Sequence, residues 1–318
     1  MSASAPPRQL RAVELTLELP HTGAGGPRPW LMGIVNASPD SFSDGGRYAS
    51  LDAQLALARE LLDAGADILD IGGESASTGR PPLEPAEEIE RVVPLIERVV
   101  GELGALVSVD TYKPAVARAA LAAGARIVND VSGLRHVELA DVCAQTGAAL
   151  VLMHTRAAPR ERLQDPDLYA DVTAEVLAFL RERSAAAIAR GVDPEQLLLD
   201  PGPDFAKTPA QTIRLLRDVS RLHELGRPLL MAISRKDFIG ALTGRAPRAR
   251  GAGTLAALAH GVEHGAHVLR VHDVAAAADF LAVRAALCGE REPSRDLALG
   301  AEVRYEPIVS ERHAPGTR

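Results

Sequence analysis

Asp110, Asn129, Asp200 and Lys236 supply two carboxylates, an amide and an ammonium, a set able to read the donor and acceptor edge of a flat heterocycle. Arg270 and His272 stand two residues apart and, with Asn36, make a candidate anion or metal–anion site. Other chemistries have no foothold. No His/Cys cluster has transition-metal spacing, and no nucleophile elbow, phosphate loop or dinucleotide fingerprint is present. Covalent catalysis is therefore not indicated. Positioning two substrates and stabilising a leaving anion fits better.

Such residues need a frame that brings them together. Trp30–Val35 is an apolar run short enough for a buried strand. It turns polar at Asn36, and the next residues, Ala37-Ser38-Pro39-Asp40-Ser41, have loop chemistry, with Asp44-Gly45-Gly46 relaxing the backbone again. Further apolar runs follow at Ile68–Ile71, Leu106–Val109, Arg126–Val128, Ala149–Met153, Leu197–Leu199, Leu229–Ile233 and Val268–Val271. Between them lie segments with helical spacing, among them Leu51–Ala64, Pro85–Val100, Pro114–Ala122, Val172–Arg190, Pro209–Glu224, Gly253–His264 and Ala275–Leu287. Strict alternation calls for a parallel sheet. Eight units over this length match a single-domain α/β fold, the (β/α)8 or TIM barrel, with a doubly wound open sheet as the competitor. Ala-Gly-Ala and similar joints at Gly65, Gly124, Gly147 and Gly265 suit helix ends.

The expected parts are an N-terminal strand and loop extension (1–28), the barrel (29–288) and a C-terminal tail (289–318). Residues 1–12 read as a loose tail, Val13–Leu19 as a half-exposed strand, and Val303–Val309 as a possible further strand. With 47% hydrophobic residues a large core is available, and with aromatics at 3% that core must be aliphatic. A net charge of −7 without a basic stripe argues against nucleic acid as the main partner. The two cysteines, Cys143 and Cys288, suit a reducing cytoplasm. No apolar run reaches the length of a membrane span, and the N-terminus lacks a signal-peptide core.

In parallel α/β folds, ligands sit at the carboxyl ends of strands. Every one of the eight runs ends in polar residues: Asn36, Asp70 through Ser75, Asp110, Asn129-Asp130, His154 through Arg156, Asp200, Ser234 through Asp237, and Arg270 through Asp273. Each has a bland reading. Asp110, Asp130 and Asp273 could be helix N-caps, as could Ser234, while Arg235 and Lys236 could be solvated charges and His272 a satisfied half-buried ring. So many polar groups converging at one end favour a pocket, because they would be costly to gather without a ligand.

These residues together resemble the dihydropteroate synthase family. The motifs are MGIVNASPDSFSDGG at Met32–Gly46, DIGGES at Asp70–Ser75, SVDT at Ser108–Thr111, VNDVSG at Val128–Gly133, DPG at Asp200–Gly202, SRKDFIG at Ser234–Gly240 and RVHDV at Arg270–Val274. The resemblance implies a pterin-binding barrel that joins p-aminobenzoate to 6-hydroxymethyl-7,8-dihydropterin pyrophosphate, with Mg2+. It implies that Asp110, Asn129, Asp200 and Lys236 hold the pterin, lined by Met153 and Phe205. Lys236, Asp110 and Asp200 then carry the catalysis. Asn36, Arg270 and His272 hold pyrophosphate, and Asn36 also meets the metal. A homodimer through the late helices is implied too.

The other half-site departs from the family pattern. Ala76 and Ser77 stand where the family has Thr and Arg, with Arg80 nearby. Asp237 replaces a Ser that meets the p-aminobenzoate carboxylate, and like charges there would repel by about 1 to 4 kcal/mol. Asp204 is brought beside the pterin wall, and His154-Thr155-Arg156 follows Met153 in place of the family's His-Met-Gln. Two other readings stand beside the leading one. One is a pterin-binding paralogue that lacks this activity or uses another amine. The other is a folate-dependent methyltransferase domain, disfavoured by Lys236, Arg270 and His272 because a methyl carrier has no pyrophosphate to release.

Overall fold

The computed structural model describes residues 8–19, 28–37, 50–74, 82–300 and 303. An antiparallel hairpin comes first, β1 (Arg8–Ala12) and β2 (Leu15–Leu19). Eight parallel strands follow: β3 (Trp30–Asn36), β4 (Ile68–Gly72), β5 (Val107–Asp110), β6 (Ile127–Asp130), β7 (Ala149–Met153), β8 (Leu197–Asp200), β9 (Leu230–Met231) and β10 (Val268–Val271). They pair in the order β8-β7-β6-β5-β4-β3-β10-β9, and a single parallel bridge between Leu199 and Leu229 joins the two ends. The ring is a nearly closed barrel, not an open sheet.

The helices are α1 (Leu51–Asp63), α2 (Pro85–Leu103), α3 (Pro114–Ala122), α4 (Glu138–Thr146), α5 (Val172–Ala189), α6 (Pro209–Arg217), α7 (Asp237–Thr243), α8 (Gly251–Glu263) and α9 (Val274–Leu287). Their starts are chemically marked. Ser50, Asp171, Thr208 and Asp273 each accept a first-turn N–H, and proline opens α2, α3 and α6. Gly147 ends α4 at φ 76°, and Gly65, Gly124 and Gly265 follow their helices at φ 100°, 112° and 86°, where a side chain would be strained. The helix expected over 209–224 stops as an α-helix at Arg217 and continues as a 3-10 segment, Val219–Leu225. Asp218, at that break, accepts a hydrogen bond from Thr173 Oγ1 at 3.3 Å.

The N-terminal stretch is not loose throughout. Arg8–Ala12 is a strand whose Leu10 and Ala12 are buried, together with Leu17 and Leu19 of β2. These four pack with Met32, Ile68, Ile127, Ala149, Leu198, Leu230 and Val268, the barrel's inward side chains at its amino-terminal end. The Val13 N–H donates to Gly147 O at 2.7 Å, and Arg11 pairs with Asp193 at 2.9 Å. The hairpin thus plugs the floor of the barrel. The possible strand at Val303–Val309 lies outside the described residues apart from Val303. Residues 288–300 form neither helix nor strand.

Candidate active site

Strand side chains alternate, so inward positions recur every second residue. Ile68, Ile127, Leu198 and Val268 belong to the inward apolar cluster. Two residues on from each stand Asp70, Asn129, Asp200 and Arg270. The same step that keeps a side chain on the barrel axis changes its chemistry from apolar to polar. Register then lines them up: Asn36 pairs with Gly72, Gly72 with Asp110, and Asp110 with Asn129, in one row across four strands. Met153 is paired with Asp200 on the opposite side of the ring.

All nine sequence-predicted residues line one cavity of ≈ 590 Å³ at this end: Asn36, Asp110, Asn129, Met153, Asp200, Phe205, Lys236, Arg270 and His272. That size suits a small ligand rather than a protein partner. At its base, Arg270 lies between two acids, with Nε donating to Asp70 Oδ2 at 2.7 Å and Nη2 donating to Asp110 Oδ2 at 2.8 Å. Asn129 Nδ2 donates to the same Asp70 oxygen at 3.0 Å. Asp70 is wholly buried, and its Oδ1 has no hydrogen-bond partner among the described residues. The residue that ties Arg270 to Asn129 was therefore missed as a site residue, although it stands at a polar strand end.

Burial sets the electrostatics. It pushes the Asp110 carboxyl up to about 7, against the pull of Arg270, and Asp70 adds to the rise. Burial also raises Asp200, whose Oδ1 accepts the Gly202 N–H at 2.7 Å. Lys236 is lowered by desolvation, and its Nζ lies 4.2 Å from the centroid of the Phe205 ring. Burial first, then nearby cations, push His272 down to about 3, so the ring is neutral at pH 7. His272 Nδ1 is 3.0 Å from Ser234 Oγ.

The bland readings sort out individually. Asp273 is the N-cap of α9, and Asp130 accepts the Ser132 and Leu134 N–H groups of the next turn. Asp110 caps no helix, Ser234 meets His272, and Lys236 is packed over an aromatic ring. The outer half of the cavity corrects one expectation. Asp237 is not a bare acid: its Oδ1 is 3.0 Å from Arg250 Nη1. Asp204, at φ 65°, turns its carboxylate to the first N–H groups of α7, those of Asp237 and Phe238. On the far side Arg160 reaches from the segment after β7 to Glu74 at 2.7 Å, and Lys113 bonds Glu74, Glu88 and Leu83 O. Ala76, Ser77 and Arg80 lie outside the described residues, as does the polar loop after Ala37.

Among the described residues, no three His, Cys, Asp or Glu side chains gather as a ready-made metal cage. Asn36, a neutral oxygen donor at the cavity wall, suits a hard cation that keeps waters and takes other ligands from a phosphate.

Comparison with known proteins gives the chain's family. The pterin binding enzyme family matches residues 32–272. The dihydropteroate synthase of Bacillus subtilis is 44% identical over 245 residues, which cover 77% of this chain and 83% of that protein. The Xanthomonas albilineans dihydropteroate synthase structure with 4-aminobenzoic acid superposes with a TM-score of 0.79 at 45% identity, covering 89% of this chain and 98% of that one. The structure from the same organism in complex with 7,8-dihydropteroate gives a TM-score of 0.76 at 44% identity, covering 88% and 98%.

Proposed function

Because this chain belongs to the pterin-binding enzyme family and to its dihydropteroate synthases, we propose that it condenses 6-hydroxymethyl-7,8-dihydropterin pyrophosphate with p-aminobenzoate. The reading rests on one observation above all: Asp110, Asn129, Asp200 and Lys236 line a single cavity with Arg270. Asp110 and Asp200 accept from the ring's N–H groups, Asn129 reads a mixed edge, and Lys236 donates to a ring acceptor. Met153 and Phe205 flank the ring.

Arg270 connects the two ends of the substrate. It bridges Asp70 and Asp110. A ring N–H arriving at Asp110 replaces the Arg270 Nη2 donor, which then serves the pyrophosphate arm, while Asp70 keeps Nε in place. His272, neutral, contributes a hydrogen bond rather than a charge. Asn36 would hold Mg2+ together with the pyrophosphate oxygens, and the bound ion would offset charge on the leaving group. The methylene–oxygen bond breaks, pyrophosphate leaves with its electron pair, and the arylamine nitrogen bonds to the methylene carbon and then loses a proton. The residues here supply alignment and charge stabilisation.

The same reading includes a homodimer and a cytoplasmic setting. Exposed Leu242 on α7 and Val283 and Leu287 on α9 support a contact through the late helices, which sedimentation would test. Both cysteines are free, and among the described residues no helix is long and apolar enough to cross a membrane. In this proposal the chain divides into an N-terminal extension (1–28), the barrel (29–288) and a C-terminal tail (289–318).

The test is an assay with the pterin pyrophosphate, p-aminobenzoate and Mg2+. Formation of 7,8-dihydropteroate is expected. Tight pterin binding without product, across several arylamines, would overturn the reading in favour of a pterin-binding paralogue.

A further inference from the structure

Among the described residues, Lys207 is the largest with essentially no solvent exposure. An ammonium out of water needs full hydrogen bonding to persist. It has three partners: His154 Nδ1 at 2.7 Å, Gly202 O at 2.9 Å and Phe205 O at 3.0 Å. His154, pushed down to about 2 by burial and by Lys207, is neutral and accepts through Nδ1. Burial pushes Lys207 itself down to about 7, against the pull of Asp200; charged or neutral, its Nζ ties the end of β7 to the segment that follows β8.

That segment needs a tie. Gly202, Asp204 and Ala206 have φ of 64°, 65° and 50°, three left-handed residues within five, two of them not glycine. Such conformations are strained and last only where the surroundings over-determine them. Gly202 is pressed against β7 so closely that a Cβ there would lie 2.0 Å from His154 O. The Gly202 N–H fixes Asp200 Oδ1, Tyr169 Oη donates to Ala206 O at 2.9 Å, and Phe205 carries the ring that faces Lys236. Two groups of the proposed ring pocket, Asp200 and Phe205, thus depend on the shape of one strained turn.

We infer that Lys207 is a positioning residue for the pterin half of the site, clamping the turn Pro201–Ala206 so that Asp200 and Phe205 meet the ring. The inference rests on the proposed pterin site. It touches no substrate itself and acts through two carbonyl oxygens and one imidazole nitrogen.

Lys207→Met keeps the side chain's length and removes its donors. In that variant the Kd for the pterin pyrophosphate should rise on the order of tenfold or more, as expected when reacting groups are displaced by a fraction of an ångström. The KM for p-aminobenzoate should change less than twofold. Hydrogen exchange of the peptide spanning 200–208 should speed up relative to wild type, and this readout does not depend on the identity of the substrate. Adding Ala206→Gly, which relieves one strained residue, should recover part of the lost affinity. Phe205→Ala combined with Lys207→Met should weaken binding by less than the product of the two single effects. A folded Lys207→Met protein with wild-type pterin Kd and wild-type exchange would overturn the inference. If Lys207→Met does not fold, His154→Leu removes one anchor of the Lys207 amino group and leaves two. An unchanged pterin Kd and unchanged exchange in folded His154→Leu would then assign Lys207 to the fold alone and likewise overturn it. A wild-type protein that fails to bind the pterin pyrophosphate while Lys207→Met still loosens the turn would refute the ring-pocket assignment and leave the clamp standing.

Discussion

The floor and the mouth of the barrel are made from the same strands, two residues apart, and they solve opposite problems. At the floor, Ile68, Ile127, Leu198 and Val268 meet the hairpin's Leu10, Ala12, Leu17 and Leu19, and apolar area leaves water. At the mouth, Asp70, Asn129 and Arg270 are buried or half-buried and held by each other, and Asp70 Oδ1 is left without a partner among the described residues. The floor is organised to be stable. The mouth carries desolvated charge that weakens the fold and gains its return only when a ligand arrives. A single barrel thus separates stability from chemistry along its axis.

Substitutions at the two ends should therefore part company. The largest effect is expected for Asp200→Asn, with kcat/KM falling on the order of 300-fold because a charged acceptor and its alignment are both lost. Its melting temperature should stay level or rise, since a buried carboxylate disfavoured by desolvation is replaced by a neutral isostere. A protein that unfolds instead would break the contrast between the ends. Next comes Leu19→Ala at the floor, which should cost about 3 kcal/mol in denaturant unfolding and leave the KM of both substrates unchanged.

The pH dependence sharpens the same contrast. Asp110 binds its proton more tightly folded, with a value near 7, than at its usual 3.8. Its contribution to stability is full below pH 3.8 and is lost as pH rises through about 7. Ligand binding runs the other way, because the ionised carboxylate is the better acceptor: pterin affinity should improve as pH rises through about 7. Asp110→Asn should flatten both trends, as read by melts and by titration of the ligand at several pH values. The smallest effect belongs to Asp237→Ser. The acid is half-exposed and paired with Arg250, so removing it should change stability by less than about 1 kcal/mol. The KM for p-aminobenzoate should fall severalfold as the Arg250 charge is uncovered, and an increase would show that Asp237 is remote from that substrate's carboxylate.

The barrel was legible because its βα rhythm repeats and because polar residues fall at the end of every strand. The pocket followed from that rule, which is why Asp110, Asn129, Asp200 and Lys236 could be assigned to one cavity from order alone. The pairings were not legible. Arg270 meets Asp70 across 200 positions of sequence, and no local pattern encodes which two strand ends face each other. Lys207 stands just before α6, and no local pattern marks it as buried under the turn. Arg8–Ala12 carries two arginines in five residues, which hid an inward Leu10 and Ala12. Asp237 looked like a lone acid because Arg250 comes from the next helix's start.

The closure between β8 and β9 has a further consequence. β9 has only two residues, and one bridge, Leu199 to Leu229, completes the ring beside Asp200. Of the other seven joints, six carry three to five paired positions and β9–β10 carries two, whereas this one has a single bridge. Slow breathing of the wall must concentrate at that seam, so the side of the pocket formed by Asp200 and the turn after it is the side that yields when a bulky bicycle enters, while the row from Asn36 to Asn129 stays rigid as the anvil against which it is seated.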